Sequence, residues 1–395
     1  MPDPADDRTR RAQAPCRSSG TSAWVPAGTG AFKVGTHDNL ETAAPSPVGA
    51  EIVVGAIKKM VSRFLRFCKF HASGSGRPGV KTMSCDELLA DPANEVAHAL
   101  DYAICATAYL LQVLSSAKSF RKSPLYTLVE ELVQFWKVPT AGDVFEKAKS
   151  TMHWSAVGKA LWYLWSQSNP QMVRELRRLA SDPLDAGTHY LFYAAGELAA
   201  HHFGIAFVAE LGKSGEKTPD LQVTKGDQQF WVEATAKQPR LPVDTGEVLR
   251  RMVNSIMQEK ATKFKDPRFS PGVIFADIPD DYQDIREAGT QPLLKLSPDH
   301  LEALPDGRQL YRLHNDAAWK EHPENRNNVF AYVVAAFEAI DRSTYHVDQL
   351  LVTIRQVKSS EGQISFPIQH QLIVRKSAEV IALVELAKHI YVVND

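Results

Sequence analysis

Residues 219–237 read Pro219-Asp220-Leu221-Gln222-Val223-Thr224-Lys225-Gly226-Asp227-Gln228-Gln229-Phe230-Trp231-Val232-Glu233-Ala234-Thr235-Ala236-Lys237. Two alternating runs, 220–224 and 229–237, flank Lys225-Gly226-Asp227. A glycine in a tight turn takes a positive φ without steric cost, so this stretch predicts a β-hairpin. Side chains alternate along a strand. Trp231, Glu233, Thr235 and Lys237 therefore share one face, and Val232, Ala234 and Ala236 point the other way, toward an apolar layer. Asp220 opens the first strand and Glu233 lies near the end of the second, so the turn brings the two acids side by side. Paired carboxylates suit a hard cation such as Mg²⁺. A lysine beside them can orient an attacking water or offset charge building on a phosphate.

The flanking pattern is mixed. On the N-terminal side, residues 189–203 predict a helix and 205–211 a short strand. On the C-terminal side, 245–264 predict a helix and 272–278 a buried strand. Residues 279–323 read as mixed loop and helix. Strand-like runs recur at 329–335, 350–357 and 370–375. A short helix over 378–389 precedes a terminal apolar run at 391–393. This order predicts an α/β fold, a mixed sheet flanked by helices.

Glu197 is the only acid between Asp185 and Glu210, in a helix otherwise made of Leu191, Phe192, Ala194, Ala195, Leu198 and Ala199. A buried acid there needs a partner or a metal. The alternative is a solvated stripe beside Tyr193 and His201.

Upstream, residues 1–50 are rich in Pro, Gly, Ser, Thr and Ala without periodicity, and are expected as a disordered leader. Residues 51–69 form a basic amphipathic pattern. It suits a membrane surface or nucleic acid, or else a domain helix with a solvated basic face. Residues 84–184 read as all helical, with Ser123 capping one helix. The chain thus divides into a leader (1–50), a helical domain (51–184) and an α/β domain (185–395).

The whole chain has 395 residues, 44% hydrophobic and 23% charged, which excludes wholesale disorder. Its 45 Lys and Arg nearly balance 46 Asp and Glu, so nucleic-acid binding would need a local basic face. Arg250, Arg251, Lys260, Lys263, Lys265 and Arg268 offer one along the helix after the hairpin. A solvated helix face explains them equally well, since Glu247 and Glu259 are interspersed. Cys16, Cys68, Cys85 and Cys105 form no CxxC pair, so no disulfide framework is expected and a reducing cytoplasm fits. No apolar run reaches the roughly 18 residues of a spanning helix. His201 and His202 diverge by about 100° on a helix and cannot chelate one metal together. His314, His322 and His346 lack zinc spacing.

With these residues in place, the segment 185–280 resembles the PD-(D/E)xK nuclease superfamily, the restriction-endonuclease-like fold. The match is carried by Glu197 on the leading helix, Pro219-Asp220 on the first hairpin strand and Glu233 on the second. The resemblance implies hydrolysis of phosphodiester bonds, in DNA foremost, with Mg²⁺ or Mn²⁺. It implies Glu197, Asp220 and Glu233 as metal ligands and Asp220, Glu233 and Lys237 as catalytic residues. The family's lysine normally stands two residues after the acid, where this chain has Thr235. Lys237 keeps the same strand parity, displaced by about 6–7 Å. The competing expectation is a protein that keeps the fold without the chemistry, as a nucleic-acid or protein-binding module. In either case the helical domain offers a surface for nucleic acid, a partner protein or a second copy.

Overall fold

The structure is a computed structural model. It describes residues 83–395, except 138–142, 210–216, 237–246, 279–292, 297–300, 314–317, 327, 356–357, 361–362, 366–367 and 378–381. The expected leader (1–50), the basic helix (51–69) and Lys237 lie outside the described residues.

The chain begins with a helical layer. Its helices are α1 (Cys85–Ala90), α2 (Ala93–Ala97), α3 (Ala99–Ser116), α4 (Pro124–Lys137), α5 (Val144–Leu164), α6 (Pro170–Ser181) and α7 (Ala186–Ala200). Side-chain caps start several of them, satisfying amide donors that the first turn leaves unpaired. Ser84 and Glu87 make a reciprocal capping box on α1. Asn169 accepts from Met172 N on α6, and Asp185 accepts from Thr188 N on α7. Ser123 caps α4 as expected, accepting from Tyr126 N at 3.2 Å. The single helix expected over 94–116 is interrupted at His98, whose φ of −133° is not helical.

A mixed sheet follows. Strands β1 (Gly204–Phe207), β2 (Leu221–Lys225) and β3 (Gln228–Thr235) form an antiparallel meander. The hairpin turn is the one the sequence predicts, with Gly226 at φ 58°. Helix α8 (Glu247–Ala261) then crosses back to β4 (Gly272–Ile278), parallel to β3. Strands β5 (Leu301–Ala303) and β6 (Gln309–Arg312) precede the short helix α9 (Ala318–Glu321) and α10 (Val329–Glu338). Then come β7 (Val347–Arg355), the small separate hairpin β8 (Lys358–Ser360) and β9 (Gln363–Ser365), β10 (Ile368–Arg375) and β11 (His389–Val393). Among the described residues, the main sheet has nine strands in the order β1-β2-β3-β4-β7-β10-β11-β6-β5.

Both faces of this sheet are covered, and the strand alternation sorts side chains between two cores. Val273, Phe275, Leu351, Leu372, Val374, Ile390 and Val392 join the core under α3–α7. Ile274, Ala276, Leu350, Val352, Ile373, Tyr391 and Val393 join the core under α8 and α10. The first core is continuous from Leu110 and Leu176 in the helices to Val232 in β3. The expected boundary at 184/185 therefore does not separate two hydrophobic cores. Within the helical layer, small residues let backbones meet: Gly158 of α5 against Ala106 of α3, and Gly196 of α7 against Ala160.

Three expectations need correction. The run 329–335 is helical, not a strand. It is buried almost all round, and Asn328 caps it, accepting from Phe330 N and Ala331 N at 2.8 and 3.2 Å. A run apolar on every side carries no period that separates helix from strand. In the segment 378–389, the described residues hold only a 3₁₀ turn, Ala382–Leu386, and His389 already begins β11. No disulfide framework was expected, yet Cys85 and Cys105 are joined as a disulfide between α1 and α3. Helix α3 has the length and apolarity to span a membrane, but most of it is buried inside the protein as a core helix.

Candidate active site

Asp220 sits just ahead of β2, fixed by main-chain bonds on both sides. Its N–H donates to Val232 O and its carbonyl accepts from Val208 N, each at 2.9 Å. The side-chain Oδ2 accepts from Ala234 N at 3.0 Å. Glu233 lies in the interior of β3, between β2 and β4, with no exposed surface. Its face is the one that Trp231 shares, where Trp231 packs edge-on against Phe269.

The β3–α8–β4 crossover brings the end of α8 over this point. Lys260 lies in the last turn of α8, and Lys263 follows in the 3₁₀ turn Thr262–Phe264. Three residues apart, they project to the same side. The Lys260 ammonium lies 2.6 Å from Glu233 Oε1. The Lys263 ammonium lies 2.7 Å from Glu233 Oε2 and 3.1 Å from Asp220 Oδ1. Two carboxylates thus converge on one lysine nitrogen.

Burial governs the proton affinities. It pushes the Glu233 carboxyl up to about 8, and the neighbouring Asp220 charge adds to that. The two lysines offset only part of the rise. Burial alone would lower Lys263, but Glu233 and Asp220 outweigh it and raise the value. The cluster borders a small cleft of about 160 Å³, lined among others by Glu175, Arg178, Thr218, Asp220, Lys260 and Lys263. Arg178 is well exposed, and its Nε lies 2.7 Å from Asp185 Oδ2.

Glu197 does not join this site. It is buried in the helical layer with Oε1 2.7 Å from the Lys159 ammonium, and that same ammonium is also paired with Glu95. Burial would raise the Glu197 carboxyl, but the Lys159 ammonium brings it below its ordinary value. Glu95 ends on the other side: burial holds it above the ordinary range despite Lys159. Helix geometry accounts for the separation. Thr188 and Leu191, at the start of α7, face the cleft. Glu197 comes nine residues after Thr188, about half a turn round and roughly 13 Å along the axis. It faces α5 instead.

Of the three expected metal ligands, Asp220 and Glu233 come together and Glu197 pairs elsewhere. Among the described residues, no group of three His, Cys, Asp or Glu side chains is placed to hold a metal. Thr235, at the position of the family's lysine, is buried, and its hydroxyl has no hydrogen-bond partner among the described residues. Lys260 and Lys263 were visible in the sequence as part of a basic helix face. The register that drops them onto Glu233 was not. Glu175, which lines the same cleft, carried no sequence signal.

No family model, no curated protein and no solved structure matches this chain.

Proposed function

We propose that the chain is a metal-dependent nuclease of the restriction-endonuclease-like type, hydrolysing phosphodiester bonds, in DNA foremost. The element order supports the reading: helix α7, the antiparallel meander β1–β2–β3, crossover helix α8, then β4 parallel to β3. The observation that carries it is the convergence of Asp220 Oδ1 and Glu233 Oε2 on one cation, beside a cleft.

The donor set fits Mg²⁺, which takes one or two carboxylates and completes its shell with water and substrate phosphate oxygens. Asp220 and Glu233 would hold it. Once bound, such an ion supplies Lewis acidity and a water of lowered pKa. The chain's own part is to position and neutralise. Asp220 is fixed by the Ala234 amide, and Glu233 is held by the Lys260 ammonium. Arg178 and Lys260 on the cleft wall offer cations to a phosphate. Lys237 remains the proposed water-orienting lysine from strand parity.

A second reading has one observation in its favour. With Lys263 between them, the two carboxylates already have a counter-ion, so the cluster is complete without a metal. That suits a non-catalytic binding or assembly protein. One experiment separates the two: plasmid, linear DNA and RNA incubated with and without Mg²⁺ or Mn²⁺, alongside Asp220→Ala and Glu233→Ala. Cleavage that needs the cation and both acids supports the nuclease. Undiminished cleavage in excess EDTA, or by either variant, refutes the metal mechanism, and no cleavage of any substrate favours the binding module.

A further inference from the structure

The four oxygens of the Asp220–Glu233 pair are unequally committed. Asp220 Oδ2 accepts from the Ala234 amide, and Glu233 Oε1 is paired with Lys260. The two that remain, Asp220 Oδ1 and Glu233 Oε2, are both held by Lys263, at 3.1 and 2.7 Å. They are the two oxygens of the pair that share one partner, and a compact ammonium spans them.

Building on the proposed metal site, we infer that Lys263 is a tethered cation. Its ammonium occupies the ion position between Asp220 and Glu233 and must turn into the cleft for a divalent ion to enter. Three features support the exchange. First, the Lys263 side chain is 20% exposed while Glu233 is fully buried, so the lysine has somewhere to go and the acid does not. Second, its main chain is anchored, since Phe264 beside it is fully buried in the sheet core. The movement is thus confined to the flexible side chain. Third, Lys260 stays on Oε1 and keeps Glu233 from being stranded as an unpaired buried charge, whose cost would otherwise oppose the exchange.

The exchange changes the charge that a substrate meets. Once Glu233 has given up its proton, two carboxylates and two ammonium groups sum to zero. A divalent ion adds two positive charges without removing either lysine from the cleft. The resting site would attract phosphate weakly and the ion-loaded site strongly. Lys263 would be a positioning residue: it excludes the ion at rest and presents an ammonium to phosphate after ion entry.

The test is Mn²⁺ binding to the full chain, followed by the paramagnetic resonance signal of free Mn²⁺. The proteins are the parent, Lys263→Gln, Lys263→Met, Lys260→Gln and Asp220→Asn. Removing the competitor should tighten Mn²⁺ binding by at least about tenfold. Lys260→Gln removes the same charge without vacating the position between the acids, so it should tighten binding distinctly less. Lys263→Met serves if the glutamine variant fails to fold. Equal tightening in the Lys263 and Lys260 variants, or none, overturns the inference while leaving the metal site standing. Mn²⁺ binding that survives Asp220→Asn, or that is absent from every protein, overturns the metal site and the inference together.

Discussion

Helices α3 and α5 cross where Gly158 meets Ala106, and Gly158→Ala probes how closely. A Cβ added at 158 would lie 2.0 Å from the Ala106 carbonyl oxygen and 2.5 Å from its carbon. Both atoms are main chain, so no side chain can swing away. Ordinary contact needs about 3.5 Å, so the helices must part by more than about 1 Å. Alanine favours a helix interior over glycine by about 0.8–1.0 kcal/mol. Against that stands overpacking, about 1–3 kcal/mol and sometimes more. Parting the helices also loosens Val113, Val157 and Leu161, all fully buried in the same core. A main-chain clash at 2.0 Å belongs at the upper end of that range, so after the propensity gain we expect a net loss of about 2 kcal/mol. Gly196→Ala is the internal comparison. Its Cβ would meet Ala160 at 3.1–3.2 Å, a few tenths too close, so the propensity gain should hold its change within about 1 kcal/mol. Urea unfolding followed by tryptophan fluorescence and circular dichroism measures both. A Gly158→Ala protein as stable as its parent, or less affected than Gly196→Ala, would refute the close crossing.

Glu233 holds its proton to about 8 in the fold, against 4.5 as a free side chain, so its contribution is present at low pH and lost as pH rises through that window. Stability of the parent relative to Glu233→Gln should fall from pH 5 to 8 by up to about 1.4 kcal/mol per unit; a flat difference in urea unfolding contradicts this. His370 has the opposite sign: burial lowers it from 6.5 to about 4, so its contribution is present above 6.5 and lost as pH falls. His370→Gln should flatten the acid limb of the melting temperature between pH 6.5 and 4, and an unchanged limb counts against the buried neutral imidazole. The Cys85–Cys105 link closes a loop of 20 residues, so reduction, or Cys85→Ser with Cys105→Ser, should cost up to about 3 kcal/mol. Identical unfolding curves with and without reductant would exclude the link.

Local chemistry made the hairpin legible. Gly226 and the alternating runs fixed the turn, and the register sets Leu221 opposite Val232, just beside the two acids. The strand Gly272–Ile278 matched its expected bounds because its apolar run is short and ends abruptly. Glu197 was misplaced because its partner, Lys159, comes from α5, 38 residues earlier. Nothing in the α7 sequence tells whether an inward acid meets a metal or a lysine. The run at 329–335 was misread although Asn328, the cap, stood directly before it. Lys263 illustrates the remaining gap: its charge was noticed, but the fit of α8 onto β3 is a property of the assembled layers.

The strand order also dictates a schedule. Among the described residues, strand β6 reaches the main sheet only through β11, and β5 only through β6. Yet β5 and β6 are made long before β11, with helices α9 and α10, strand β7 and strand β10 in between. A nascent chain carrying β5 and β6 has nowhere in the sheet to dock them. They must wait, with their ladder edge open, until β11 has paired with β10. Closing that long interval is slow relative to the adjacent meander β1–β2–β3, which has its partners at hand as soon as it is made. The half of the sheet that bears Asp220 and Glu233 can therefore assemble early, while the far edge is the part most exposed to wrong pairing with another chain.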